Sequence, residues 1–237
     1  MNPGSHLSLE LNLISVYTIT MGREYYLKKL IDSLAKNAGD IEYEHHIGFQ
    51  GITPSEELRQ FLPQNTILHL WPESCGAGEA NNRIIPQLKG DLIVKLDDDA
   101  LIYSPDYLVR AQEVSRLLKD SCVFSPYPVG LINNPGGVRG TGHFVRYSEA
   151  LDIYFTFRPV PHIGGFGRIV PRKIIGDFKW PNDLNVSTSG SEDTNFSNYC
   201  EARFIKMFYL ENAMVIEHIE STLGQHERYK TYFEGRF

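Results

Sequence analysis

Three consecutive carboxylates, Asp97, Asp98 and Asp99, follow the apolar run at residues 91–96 (DLIVKL). Such a run reads as a buried strand, and ligands of open α/β sheets sit beyond the carboxyl ends of their strands. Adjacent carboxylates repel one another unless a cation lies among them, and a hard divalent cation with oxygen ligands is a natural partner. The plain alternative is an acidic loop capping the next helix, a role for which Ser104 is better placed. A second acidic pair, Glu192 and Asp193, stands about 95 residues downstream in Ser191-Glu192-Asp193-Thr194. Carboxylates in the first turn of a helix are favoured by its dipole whatever their function. Here they follow a Ser/Asn/Gly-rich stretch, residues 182–190, of the kind that forms a rim or lid.

Several familiar uses of an acidic strand end do not fit. A haloacid dehalogenase-type phosphatase needs Asp-x-Asp-x-Thr, but Leu101 stands where the threonine belongs. A dinucleotide fold needs Gly-x-Gly-x-x-Gly after its first strand, and Thr18-Ile19-Thr20-Met21-Gly22-Arg23 stands there instead. There is no Walker loop. A nucleotidyltransferase requires a glycine-rich, arginine-containing loop at the same place, where TITMGREY has a single glycine.

The elements that must position these residues are legible in the first half. Residues 13–20 are β-branched and apolar, a buried strand; Leu27, Leu30, Ile31 and Leu34 then mark a helix running to about Asn37. A strand over 41–49 precedes a helix start near Thr53, with Thr53 as cap and Pro54 at its first position. A strand over 67–71, a helix over 78–88 ended or kinked by Pro86, and the strand over 91–96 follow. Ser104-Pro105-Asp106 opens a capped helix with Leu108, Ala111, Val114 and Leu118 on its apolar side, and residues 121–125 form another strand. Such alternation predicts a mainly parallel sheet covered on both faces.

Beyond Pro126 the pattern changes. Pro, Gly and aromatic residues crowd positions 127–167, where 143–147 and 153–157 read as strands of a mixed or antiparallel extension. A helix over 191–204 precedes strands at 206–210 and 213–218, which are expected to pair with each other; residues 219–237 show no period. The expectation is one α/β domain over 1–237, with halves at about 11–126 and 127–237.

Composition bounds the function. The 237 residues are 42% hydrophobic and carry a net charge of −6, which argues against non-specific nucleic-acid binding. No apolar run approaches the ~18–20 residues of a membrane helix. The first ten residues lack a basic segment and do not read as a signal peptide. Cys75, Cys122 and Cys200 are odd in number and fit no zinc pattern, so they read as reduced thiols. Without a secretory route, the sequons at Asn185 and Asn195 carry no weight. The expected location is cytoplasmic, with peripheral attachment at the inner face of a membrane left open.

Four segments in order resemble glycosyltransferase family 2, a group with the GT-A (Rossmann-like) fold. ISVYTITMGREYYLKKLIDSL is similar to its first strand and helix, and GAGEANNRIIPQLKGDLIVKLDDDA to its donor-side segment ending in D-x-D. HIGGFGRIVPRKIIGDF resembles its glycine-rich acceptor-side strand and helix, and SEDTNFSNYCEARFIKMFYLENAMVIEH its Glu-Asp helix with final strands and closing histidine. The resemblance implies an inverting, metal-dependent sugar transfer from a nucleotide-sugar to a hydroxyl acceptor, with Mn²⁺ or Mg²⁺ as cofactor. It places Asp99 on the metal, Asp97 on the ribose or in the metal shell, and Asp98 beside them. His218 falls where a further metal or phosphate ligand often stands, though a strand-end histidine is equally a structural residue. Asp193 becomes the general base, with Glu192 as its substitute. Thr18, Thr20, Arg23, Gln50 and Asn82 fall at nucleotide-sugar positions. Gln50 replaces an aspartate of the family's Asp-Asp-Gly-Ser run, so the uracil preference is less firmly signalled, with UDP ahead of GDP and dTDP.

Arg168, Arg172 and Arg228 are further candidates for neutralising a diphosphate, as are His226 and Lys230 for closing over it. Gly164-Gly165 suits close backbone approach or a bulge, and Trp71 and Trp180 suit core or rim, Trp180 also a sugar-stacking role. The implied acceptors are a carbohydrate, a lipid-linked sugar, a small molecule or a protein. A non-catalytic relative that binds a sugar nucleotide or a partner protein is the alternative.

Overall fold

Alternating apolar periods of two and about 3.6 fold the first half into strands and helices, as a computed structural model describes for residues 13–126, 128–129, 142–181 and 191–219. The order is β1 (Ile14–Thr20), α1 (Glu24–Asn37), β2 (Tyr43–Gln50), α2 (Glu56–Phe61), β3 (Thr66–Trp71), α3 (Gly76–Ile84) and β4 (Leu92–Lys95). These four strands are parallel, in the order β3-β2-β1-β4. Helix α1 buries the predicted Leu27, Leu30, Ile31 and Leu34, and α3 ends in a 3-10 turn, Ile85–Gln87, that contains Pro86. Gly90 precedes β4 because a Cβ there would lie 2.5 Å from the Leu13 carbonyl oxygen of the incoming β1.

The chain continues through β5 (Ala100–Ile102), α4 (Tyr107–Leu117), β6 (Cys122–Pro126), β7 (Pro128–Val129), β8 (Phe144–Ser148), β9 (Ile153–Val160) and β10 (Ile169–Pro171). It ends with α5 (Arg172–Ile175), α6 (Ser191–Ala202), β11 (Lys206–Leu210) and β12 (Ile216–His218). The large sheet runs β3-β2-β1-β4-β10-β6-β11-β9-β8. Strand β10 enters antiparallel between β4 and β6, β11 lies parallel to β6, and β9 and β8 extend the sheet antiparallel. This is the parallel core with a mixed extension that the sequence predicts. Alternate residues of β1 feed two cores: Val16 packs with Leu30 and Leu108 on one face, Tyr17 with Ile84 and Phe196 on the other.

Three local expectations are corrected. Strands β11 and β12 do not pair; β12 joins a separate three-stranded sheet, β5-β12-β7. The Asn212 side chain accepts from Thr156 N and donates to Tyr154 O, both at 2.7 Å, which ties the end of β11 to β9. Ala213, left-handed at φ +65°, then turns the chain out of the large sheet. Ser104 caps no helix: its hydroxyl accepts from Val215 N at 2.6 Å, and α4 begins behind a left-handed Asp106. Thr53 is not the cap of α2 either, because Ser55 accepts from Leu58 N at 3.1 Å while binding Glu24.

Candidate functional site

The acidic loop leaves the carboxyl end of β4, and each aspartate lies beside a basic side chain. Asp97 lies 3.5 Å from Lys95 Nζ, Asp98 is paired with Arg23, and Asp99 Oδ2 lies 3.1 Å from His218 Nε2. The small sheet explains the last contact. Strand β12 runs antiparallel to β5 with His218 opposite Ala100, so the imidazole lands beside Asp99. Ile219 N also donates to Asp99 O at 3.0 Å, and the Phe166 ring lies 5.0 Å from the imidazole. Burial opposes ionisation of Asp97, but Lys95, with His218 and Arg23, outweighs it and holds the carboxyl below its ordinary range. Burial pushes the Asp98 carboxyl up, against the pull of Arg23 and Thr20.

The second acidic pair arrives from the N-terminal turn of α6. Arg168, 2% exposed, donates to Asp193 Oδ1 at 3.0 Å, and Lys95 Nζ lies 4.0 Å from Glu192 Oε1. Lys95 N also bonds Arg168 O at 2.8 Å, so the two buried cations enter from neighbouring strands beneath both acidic groups. Gly165 makes the convergence possible: a Cβ there would overlap Lys95 Nζ and come within 2.6 Å of Asp193 Oδ1. Burial and the neighbouring Asp193 push the Glu192 carboxyl up, with Lys95 opposing them. Burial alone would lower Lys95, but Asp97, Asp193 and Glu192 raise it well above an ordinary lysine. The sequence reading missed Lys95. Its signal was a lysine in an otherwise apolar strand, DLIVKL.

The residues assigned to the nucleotide-sugar are engaged within the protein. Thr18 is fully buried with its hydroxyl 3.1 Å from His45 Nε2 of β2. Thr20 donates to Asp98 Oδ2 at 2.6 Å, and Arg23 Nε to the same oxygen at 3.2 Å, so Asp98 staples the end of β1 to the acidic loop. Arg23 also reaches within 3.6 Å of Asp99. Gln50, 6% exposed, accepts at Oε1 from Cys75 N at 3.0 Å, which fixes the amide orientation. Asn82 donates to Trp180 O and accepts from Trp180 N, both at 2.9 Å, so this amide clamps the Trp180 backbone. Trp180 is 3% exposed, stacks on Phe196 and donates from Nε1 to Glu192 O at 3.1 Å, so it packs in the core against the start of α6. Arg172 Nε donates to Gly90 O, at the far end of β4 from the acidic loop. Residues 182–190, His226, Arg228 and Lys230 lie outside the described residues.

Five carboxylates (Asp97, Asp98, Asp99, Glu192, Asp193) thus face three permanent cations (Arg23, Lys95, Arg168), a formal balance of −2 before His218 is counted. Among the described residues no group of three or more His, Cys, Asp or Glu side chains forms a metal cage by itself. The Asp99–His218 pair nevertheless fits a divalent ion shared with a substrate. Neighbouring donors on an octahedral ion with ~2.1 Å bonds stand about 3 Å apart, and such ions commonly take one or two protein ligands plus phosphate oxygens.

No family model and no curated protein matches the sequence. Solved structures match its fold. S. aureus TarS 1-349 shares 17% identity at a TM-score of 0.61, over 92% of this chain and 62% of that one. The mannosyltransferase PcManGT from Pyrobaculum calidifontis, in complex with GDP-Man and Mn²⁺, shares 14% identity at 0.63, over 94% and 61%. GalNAc-T7 with UDP, GalNAc and Mn²⁺ shares 13% identity at 0.60, over 88% and 43%. The chain therefore spans about three fifths or less of the length of these structures. Its fold is that of the GT-A glycosyltransferases.

Proposed function

We propose that the chain is an inverting, divalent-metal-dependent glycosyltransferase that moves a sugar from a nucleotide-sugar, UDP-linked first among the carriers, to a hydroxyl acceptor. The observation that carries this reading is the convergence of two acidic groups at one strand end: Asp99 with His218, and Asp193 held by Arg168. In such a transfer the acceptor oxygen bonds to the anomeric carbon, and the bond to the diphosphate oxygen breaks with its electron pair. A divalent cation at Asp99 and His218, with Asp97 beside them, would supply charge stabilisation for the departing diphosphate. Asp193 takes the acceptor proton. Arg168 engages its Oδ1 and fixes the rotamer, so Oδ2 is the basic oxygen presented to the hydroxyl. Glu192, with its raised carboxyl, is the substitute base. With Gln50 Oε1 engaged by Cys75 N, the remaining amide donor would be the group to read a base carbonyl.

The test is nucleotide-diphosphate release from UDP-, GDP- and dTDP-sugars with Mn²⁺, with the product's anomeric configuration read by proton NMR. The expected result is release from one carrier, inversion, and a kcat loss of about 10²–10⁴-fold in Asp193→Asn with donor KM unchanged. Retention of configuration, or an unchanged kcat in both Asp193→Asn and Glu192→Gln, would remove the proposed base.

A further inference from the structure

The turn joining α6 to β11 departs from its own backbone preference. Phe204 N donates to Glu201 O at 3.0 Å, and Ile205 N donates to Cys200 O at 2.9 Å. A helix closed in this way ends on a left-handed residue, usually glycine, because a Cβ is strained there. Phe204 holds that position at φ +58°, and its side chain is 93% exposed. Neither the strained backbone nor the ring in water contributes to folding.

Beside the turn lies a groove of about 830 Å³ with Leu118, Phe144, Pro159 and Val160 in its wall. Lys119, Arg146 and Lys206 line it, with Glu201 as their acidic counterpart among the described residues. Arg203 is exposed in the same turn, so the patch is basic on a chain whose net charge is −6. Strands β6 and β11 begin here, whereas the acidic loop follows the end of β4, which runs parallel to β6 because β10 is antiparallel to both. The two features occupy opposite ends of the sheet.

We propose that this face docks on an anionic lipid bilayer, with Phe204 entering the acyl boundary and Lys119, Arg146, Arg203 and Lys206 meeting lipid phosphates. An exposed apolar ring among long cationic side chains is the pattern of interfacial attachment. An acidic protein would satisfy the cations as well. However, Phe204, 93% exposed at the edge of the groove, carries no polar atom to orient a protein contact, and apolar area for insertion is what it supplies. No helix among the described residues is long and apolar enough to cross a membrane. Docked this way, the acidic loop remains on the side away from the lipid.

Co-sedimentation of the full chain with vesicles of phosphatidylcholine alone, and with about one third phosphatidylserine, tests this. The chain is expected to bind the anionic vesicles, to ignore the neutral ones, and to release as salt rises. Phe204→Gly should weaken binding about ten- to a hundredfold while raising Tm, because glycine relieves the left-handed strain. Lys119→Glu with Lys206→Glu should abolish binding at unchanged Tm. Equal binding to both vesicle types, full binding by Phe204→Gly, or no vesicle binding would each overturn the proposal. Self-association lost in Phe204→Gly, without vesicle binding, would assign the patch to a second copy instead.

Discussion

Replacing Lys95 with methionine removes the ammonium on which the two acidic groups converge. Its Nζ lies 3.5 Å from Asp97 and 4.0 Å from Glu192. At an effective dielectric of ~20 each such pair is worth about 4–5 kcal/mol before desolvation is subtracted. The Asp97 side chain is 38% exposed, so solvent screens much of its share. Breaking a fully buried pair costs about 3–5 kcal/mol. With Asp97 discounted and methionine refilling the aliphatic stem, the expected loss is about 2–4 kcal/mol, or roughly 5–15 °C in Tm for a domain of this size.

The pH dependence separates this from simple packing damage. Lys95 holds Asp97 below its ordinary range, so that stability is present above the unfolded carboxylate value and is lost as pH falls through the lower folded one. Lys95 is itself raised, so its contribution is present below the unfolded lysine value and is lost only as pH rises through the folded one. In Lys95→Met the buried carboxylates have lost this cation, and on acidification they protonate before those of the parent. The Tm gap is therefore widest near neutral pH and narrows as pH falls to and below the ordinary carboxylate range. Thermal melts of both proteins at neutral and acid pH read this directly. An equal gap at both, or no loss at neutral pH, would refute the electrostatic role given to Lys95.

Asn82→Ala removes both bonds to the Trp180 backbone and should cost about 1–3 kcal/mol. Its tryptophan emission should shift to the red as the 3%-exposed Trp180 gains water. Gly165→Ala puts a methyl group against the ends of Lys95 and Asp193, which can move aside, so the variant should fold. Its kcat should fall about 10²-fold at unchanged donor KM, since small displacements of reacting groups carry costs of that order.

The strand–helix alternation through α4 was legible because each element is long enough to show its period, as the four buried leucine and isoleucine positions of α1 illustrate. The small sheet was not. Strands β5 and β12 have three residues each, too few for a period, so the proximity of His218 to Asp99 could be inferred only from the resemblance. Nor could type alone distinguish three adjacent aspartates, one of which, Asp98, turns inward to Thr20 and Arg23. Asn82 and Thr18 sit at expected places in the chain, but partners from distant segments, Trp180 and His45, take up their polar groups. Arg168 was legible only as a candidate for neutralising a diphosphate, because its carboxylate partner, Asp193, stands 25 residues later.

The central claim is that the Asp99–His218 corner holds a divalent ion together with a nucleotide diphosphate. Thermal-shift titration with UDP, GDP and dTDP, each with and without Mn²⁺, tests it most directly. At ~100 times its dissociation constant a ligand adds about 2.7 kcal/mol, or roughly 5–10 °C here. The account predicts a rise of that size with one nucleotide, only when Mn²⁺ is present, and its loss in Asp99→Asn and His218→Ala. A rise that is indifferent to Mn²⁺, or that survives in Asp99→Asn, would contradict it, as would no rise with any of the three.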